Sequence, residues 1–97
     1  MKVNICGHIH DVQYKEDCFD FETHYGMIDY KNCTITVNKD CPQNIQEETL
    51  CHEMVHGMLF HLGYQQYSQD ETFVQALANA IYQGFKIRDI HGAIGKE

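Results

Sequence analysis

His52-Glu53-Met54-Val55-His56 is the stretch on which both the fold and the chemistry of this chain turn. On a helix, positions i and i+4 lie one above the other, so His52 and His56 can aim two imidazoles at one point. Glu53 projects about 100° further round the helix. It misses a metal held by the two histidines yet can reach a water bound to it, which is the placement of a general base. Seven histidines in 97 residues make accidental matches easier than usual. A shuffled chain of this composition would still hold only about 0.03 to 0.04 such motifs.

The neighbouring residues predict the helix. Asn44 is the expected N-cap, with Glu47 closing a capping-box-like pair and Glu48 beside it in the first turn. From Leu50 onward the surface is apolar almost all round, through Met54, Val55, Met58, Leu59, Phe60 and Leu62. A helix of that kind is buried. His61 reads as a last-turn cation and Gly63 as the C′ glycine, so the expected span is about 45–62. Two histidines and a glutamate on a buried helix need partners, and a metal with an activated water satisfies all three at once.

Upstream, short strands are expected at 2–6 and about 9–14, with Gly7 allowing the turn. Cys6-Gly7-His8-Ile9-His10 reads as ordinary strand-turn-strand in preference to an opportunistic metal site. The acidic stretch 16–22, anchored by Cys18, Phe19 and Phe21, reads as a loop or one helical turn. Tyr25 to Tyr30 and Thr34 to Asn38 flank Lys31-Asn32-Cys33 as a hairpin. After Gly63 comes a polar loop with Tyr64 and Tyr67. A second helix is expected from Ser68, with Phe73, Val74, Leu77, Ala78, Ile81 and Phe85 facing the first. The sequence thus predicts an α+β fold, a small antiparallel sheet followed by two packed helices.

Composition narrows the function. Ninety-seven residues make one domain, expected over 1–90, with 91–97 as a flexible tail. A net charge of −7 with scattered Lys and Arg argues against nucleic acid. No segment has signal-peptide or transmembrane character, which predicts a cytoplasmic protein without a membrane partner. Cys6, Cys18, Cys33, Cys41 and Cys51 fit neither a disulfide framework nor a zinc knuckle, so reduced, mostly buried thiols are expected. Oligomeric state is left open.

A hydrolytic zinc site has three protein ligands and one open position, so a third ligand must lie outside the pentapeptide. His61 is about 140° round the helix from His56 and points away. The longer pattern His-Glu-x-x-His-x-x-Gly-x-x-His fails, because its Gly and third His fall at Leu59 and Leu62. Glu71 lies at the start of the second helix, where an antiparallel pair returns it to the motif. Its competitor role is to close a capping box on Ser68, and Asp70 is the fallback ligand if the register slips by one.

These pieces together resemble the small ImmA/IrrE-like metallopeptidases, gluzincins commonly carried by phages and mobile elements. The likeness runs from Gly26-Met27-Ile28-Asp29-Tyr30 through Ile35-Thr36-Val37-Asn38 and Thr49-Leu50-Cys51-His52-Glu53-Met54-Val55-His56 to Glu71-Thr72-Phe73-Val74-Gln75-Ala76-Leu77-Ala78, roughly residues 24 to 85. It implies a minimal zincin-like domain, zinc held by His52, His56 and Glu71, Glu53 as base and acid, and endopeptidase action on a protein or peptide. Some members cleave repressors, which suggests a regulatory role. The departure is size, since nothing here supplies a substrate-sensing lobe.

Tyr64, Tyr67 and Tyr82 are candidate oxyanion donors. The strand 35–38, if an edge, could bind an extended substrate. The rival reading is a zinc-stabilised binding module with a closed site, His24 or a cysteine taking the fourth position. Glu53 argues against it, because a structural site has no use for a base.

Overall fold

A computed structural model describes residues 1–17 and 25–90. The expected acidic loop beyond Asp17, the anchors Cys18, Phe19 and Phe21, the alternative ligand His24 and the expected tail 91–97 lie outside the described residues. Within them the chain is a small α+β domain: strands β1 (Lys2–Ile5), β2 (His8–Lys15), β3 (Gly26–Asp29) and β4 (Thr34–Asn38), then helices α1 (Gln43–His61), α2 (Gln65–Ser68) and α3 (Glu71–Gly84).

Both expected hairpins form. Cys6 and Gly7 turn β1 into β2 at φ of 53° and 86°, the positive values that let a two-residue turn follow the strand twist. Ile5 then pairs with His8. The sheet as a whole is not antiparallel, however. Its order is β1-β2-β4-β3, and β2 runs parallel to β4, with Val12 opposite Ile35 and Tyr14 opposite Val37. β4 holds the interior position because its buried residues Ile35, Val37 and Asn38 bury best between two neighbours. β3, with alternate residues exposed, is left at the edge. A substrate added alongside β4 is therefore ruled out.

One face of the sheet, carrying Val3, Ile5, Val12, Ile35 and Val37, packs on Leu50 and Met54 of α1. The other side of α1 packs Cys51 and Val55 against Val74 and Ala78 of α3. Gly57 sits where the helix comes closest to the sheet. A Cβ there would meet Ile28 at 3.0 Å and Ile5 at 3.2 Å.

α1 starts earlier than expected, and Asn44 does not cap it. Pro42 holds the N-cap position at φ −56° and ψ 154° without a side-chain cap bond, and no acid lies in the first turn. The Gln46 side chain instead fixes the start by donating to the carbonyls of Lys39 and Cys41 at 3.2 and 2.7 Å. The far end follows expectation. Gly63, at φ 88°, closes a Schellman turn in which Tyr64 N–H reaches Leu59 O at 2.8 Å and Gly63 N–H reaches Phe60 O at 3.1 Å.

The second helix is split. α2 takes up the expected tyrosine loop, and α3 opens on Asp70, whose carboxylate accepts from Phe73 N–H at 3.1 Å. Phe73 and Phe85, expected to pack inward, are 40% and 73% exposed, because Val74 and Ala78 set the buried face and the helix ends at Gly84. Cys41 and Cys51 are buried, Cys33 is half-buried and Cys6 is exposed. No helix among the described residues is long and apolar enough to cross a membrane.

Candidate metal centre

His52 and His56 stand one turn apart on α1, and Glu71 faces them from the first turn of α3. Their ligand atoms lie within 4.8 Å of one another, the only such group of three among the described residues. The two Nε2 atoms are 3.2 Å apart. Glu71 sets its carboxylate oxygens 3.1 Å from His52 Nε2 and 2.8 Å from His56 Nε2.

The opposite edge of each imidazole is already engaged. His52 Nδ1 donates to the Gln75 amide oxygen at 2.7 Å, and His56 Nδ1 donates to the Ser68 carbonyl at 2.6 Å. When the rings are neutral, both Nε2 lone pairs therefore point toward each other and toward a carboxylate, an arrangement that a cation between them stabilises. Two nitrogens bound tetrahedrally at about 2.1 Å sit about 3.4 Å apart, so the observed spacing matches chelation of a small divalent ion.

The Ser68–Glu71 capping box does not form. Ser68 Oγ donates to the carbonyl of His56 at 3.0 Å and contacts the Tyr30 hydroxyl at 3.1 Å. Asp70 takes over the cap, which leaves Glu71 to face the histidines. Asp70, the fallback ligand, does not group with the two histidines, and its Oδ1 accepts from the Phe73 amide.

Glu53 lies next to this group but is buried, at 8% exposure. Burial pushes its carboxyl up to about 7, an effect that the neighbouring His52 opposes and Glu71 reinforces. The acid is pressed against β3, where a Cβ on Gly26 would lie 3.5 Å from Glu53 Cγ. Glu53 and the three metal-facing residues line a cleft of about 600 Å³ whose other wall includes Tyr25, Met27 and Tyr30. A larger cleft of about 970 Å³ shares none of these lining residues and is bounded by Leu50, Met54, Met58, Ile81 and Phe85. It brings no comparable donors together.

The tyrosines expected to serve the site do not line it. Tyr82 donates to Glu47 at 3.1 Å, while Tyr64 and Tyr67 pack on each other and Tyr67 packs on Phe73. The tyrosines on the cleft are Tyr25 and Tyr30, which sequence reasoning passed over because they sit far from the motif in the chain. Sequence gives Ser68 a role only as a helix cap. Its carbonyl carries no sequence signal at all.

His61 does point away from the centre, as its angle on the helix predicts. It is the basic residue of the last turn, as expected, and burial with the neighbouring His8 and His10 holds its pKa below the ordinary histidine value. No protein-family model, curated protein or solved structure matches this chain.

Proposed function

We propose that this protein is a zinc-dependent endopeptidase with a minimal zincin-like fold, of the ImmA/IrrE-like kind its motifs resemble. The observation that carries the reading is the convergence of His52 Nε2, His56 Nε2 and the Glu71 carboxylate beside a buried Glu53. Zinc fits better than magnesium or calcium because two of the three donors are imidazoles. When bound, it supplies a Lewis acid that polarises a peptide carbonyl and lowers the pKa of a coordinated water toward about 7.

The chain's own residues supply the rest. Gln75 and Ser68 hold the two imidazoles in the tautomer that presents Nε2. Glu53, poised near neutrality by burial, takes the proton of the attacking water and returns it to the leaving amine. The edge strand β3 borders the cleft through Gly26, Met27 and Ile28. Among the described strands it pairs only with β4, and its other edge is where an extended peptide would add. Regulatory cleavage of a protein such as a repressor is the role the resemblance favours.

A non-catalytic zinc-stabilised module is the rival. A buried base facing a cleft speaks against it, because a structural site gains nothing from a carboxyl held near neutrality. The decisive measurement pairs zinc content with cleavage of an unstructured peptide library. Glu53→Gln should keep one zinc at the centre and lose turnover by about 10²-fold or more. Full activity in that variant would overturn the enzyme assignment, and a zinc-loaded wild type that cuts nothing would favour the module.

A further inference from the structure

At the C-terminal end of α1, beyond His56, three histidines from two distant stretches meet. His8 and His10 alternate along β2 and so share its α1-facing side. His61 closes α1 above them. The His8 ring stacks on His61 with centroids 3.9 Å apart and 14° between planes, and His10 meets His61 edge-on at 5.4 Å.

His10 is fully buried, and its Nδ1 donates to the His8 carbonyl at 2.9 Å. That bond leaves the Nε2 of neutral His10 with its lone pair outward, the tautomer found when a backbone carbonyl orients a metal-binding histidine. Yet this Nε2 is buried without a hydrogen-bond partner, and so is the Nε2 of His61. Two orphaned imidazole nitrogens within one cluster are costly unless something occupies the space between donors. Among the described residues neither a carboxylate nor a hydroxyl is in hydrogen-bond contact with either nitrogen.

We propose that His8, His10 and His61 form a second metal site, selective for a borderline transition-metal ion such as zinc, that clips the β1–β2 hairpin to the C-terminal end of α1. All-imidazole donors suit zinc, copper or nickel and not magnesium or calcium. His8 lies flat on His61, and the nitrogens of these three rings do not converge as the donors of the His52–His56–Glu71 centre do. The His8 ring is exposed, and it must swing off its stack for the three imidazoles to converge beside the buried His10. The site shares no residue with the His52–His56–Glu71 centre and stands or falls independently of the peptidase reading.

Zinc titration of metal-stripped full-length protein, followed by calorimetry and by the histidine ring signals in NMR, tests this. The wild type should take up two equivalents, with the His10 ring signals moving in one of the two steps. His8→Ala and His61→Asn should each remove that step alone, with circular dichroism confirming the fold. Uptake of a single equivalent that both variants retain overturns the proposal, as does a second equivalent that neither variant weakens. One equivalent that disappears in His8→Ala would support this site and count instead against the centre at His52.

Discussion

His52 Nδ1 donates to the side-chain oxygen of Gln75 across 2.7 Å, and the amide nitrogen of Gln75 is in turn held by Asn79 at 2.9 Å. This chain of two bonds along α3 fixes which nitrogen of His52 faces Glu71. A residue of α3 therefore sets the tautomer of a residue on α1.

Gln75→Ala should weaken zinc affinity by about 10- to 100-fold, the usual cost of removing the partner that orients a metal-bound histidine. Chelator competition reads this directly. Gln75 is exposed, so the metal-free melting temperature should move little. An affinity equal to wild type would mean that Glu71 and His56 orient His52 unaided.

Adjacent acids at the start of α3 should behave oppositely. Glu71→Ala should abolish stoichiometric zinc binding at the centre while leaving the helix intact, because Asp70 is the residue that caps it. Asp70→Ala should keep zinc and lower stability by about 1 kcal/mol, the ordinary worth of such a cap. Denaturant unfolding and metal analysis of the two variants separate the roles, and reversed phenotypes would exchange the assignments.

Glu53 links the stability of the zinc-free protein to pH. Its folded pKa is raised from an ordinary 4.5 to about 7, so the folded state favours the protonated acid. No penalty applies below pH 4.5. Stability falls as pH rises through the interval up to about 7 and is level above it, by an amount on the order of 3 kcal/mol. In the presence of chelator, Glu53→Gln should thus be more stable than wild type at pH 8 and nearly equal to it at pH 4.5. A constant difference across that range would show that Glu53 ionises without resistance.

Gly26 lies where β3 crosses α1. A Cβ there would fall 2.5 Å from Thr49 Cγ2 and 3.0 Å from the Thr36 carbonyl oxygen, and the latter is backbone that cannot easily give way. Gly26→Ala should destabilise the protein by about 1 to 3 kcal/mol and disturb Glu53, which packs on the same spot. A melting temperature within a degree of wild type would contradict this close approach.

The pentapeptide, the buried helix around it and the Gly63 stop were legible because each depends on residues within a few positions of one another. Helical spacing alone puts His52 over His56. The two hairpins were legible for the same reason. By contrast, the parallel pairing of β2 with β4 depends on which strand buries best in the assembled sheet, and local pattern does not encode that choice. The start of α1 departs from the Asn44 cap that local pattern predicts because Gln46 reaches back to carbonyls at positions 39 and 41, a contact that outweighs the capping preference of Asn44.

Glu71 shows the division most clearly. Sequence offered it two incompatible roles, as ligand or as the closing acid of a cap, and spacing alone left both standing. Tertiary structure separated them by drawing Ser68 into bonds with His56 and Tyr30 and handing the cap to Asp70. Sequence likewise raised His8 and His10 only as an improbable metal site within one strand-turn-strand, and could not bring His61 to them, since about fifty residues part the strand from the helix end. Sequence determined which side chains could carry metal chemistry, because donor type and helical period are local properties. Only packing decided which of them meet, because burial and hydrogen bonding across the core are satisfied by the whole fold.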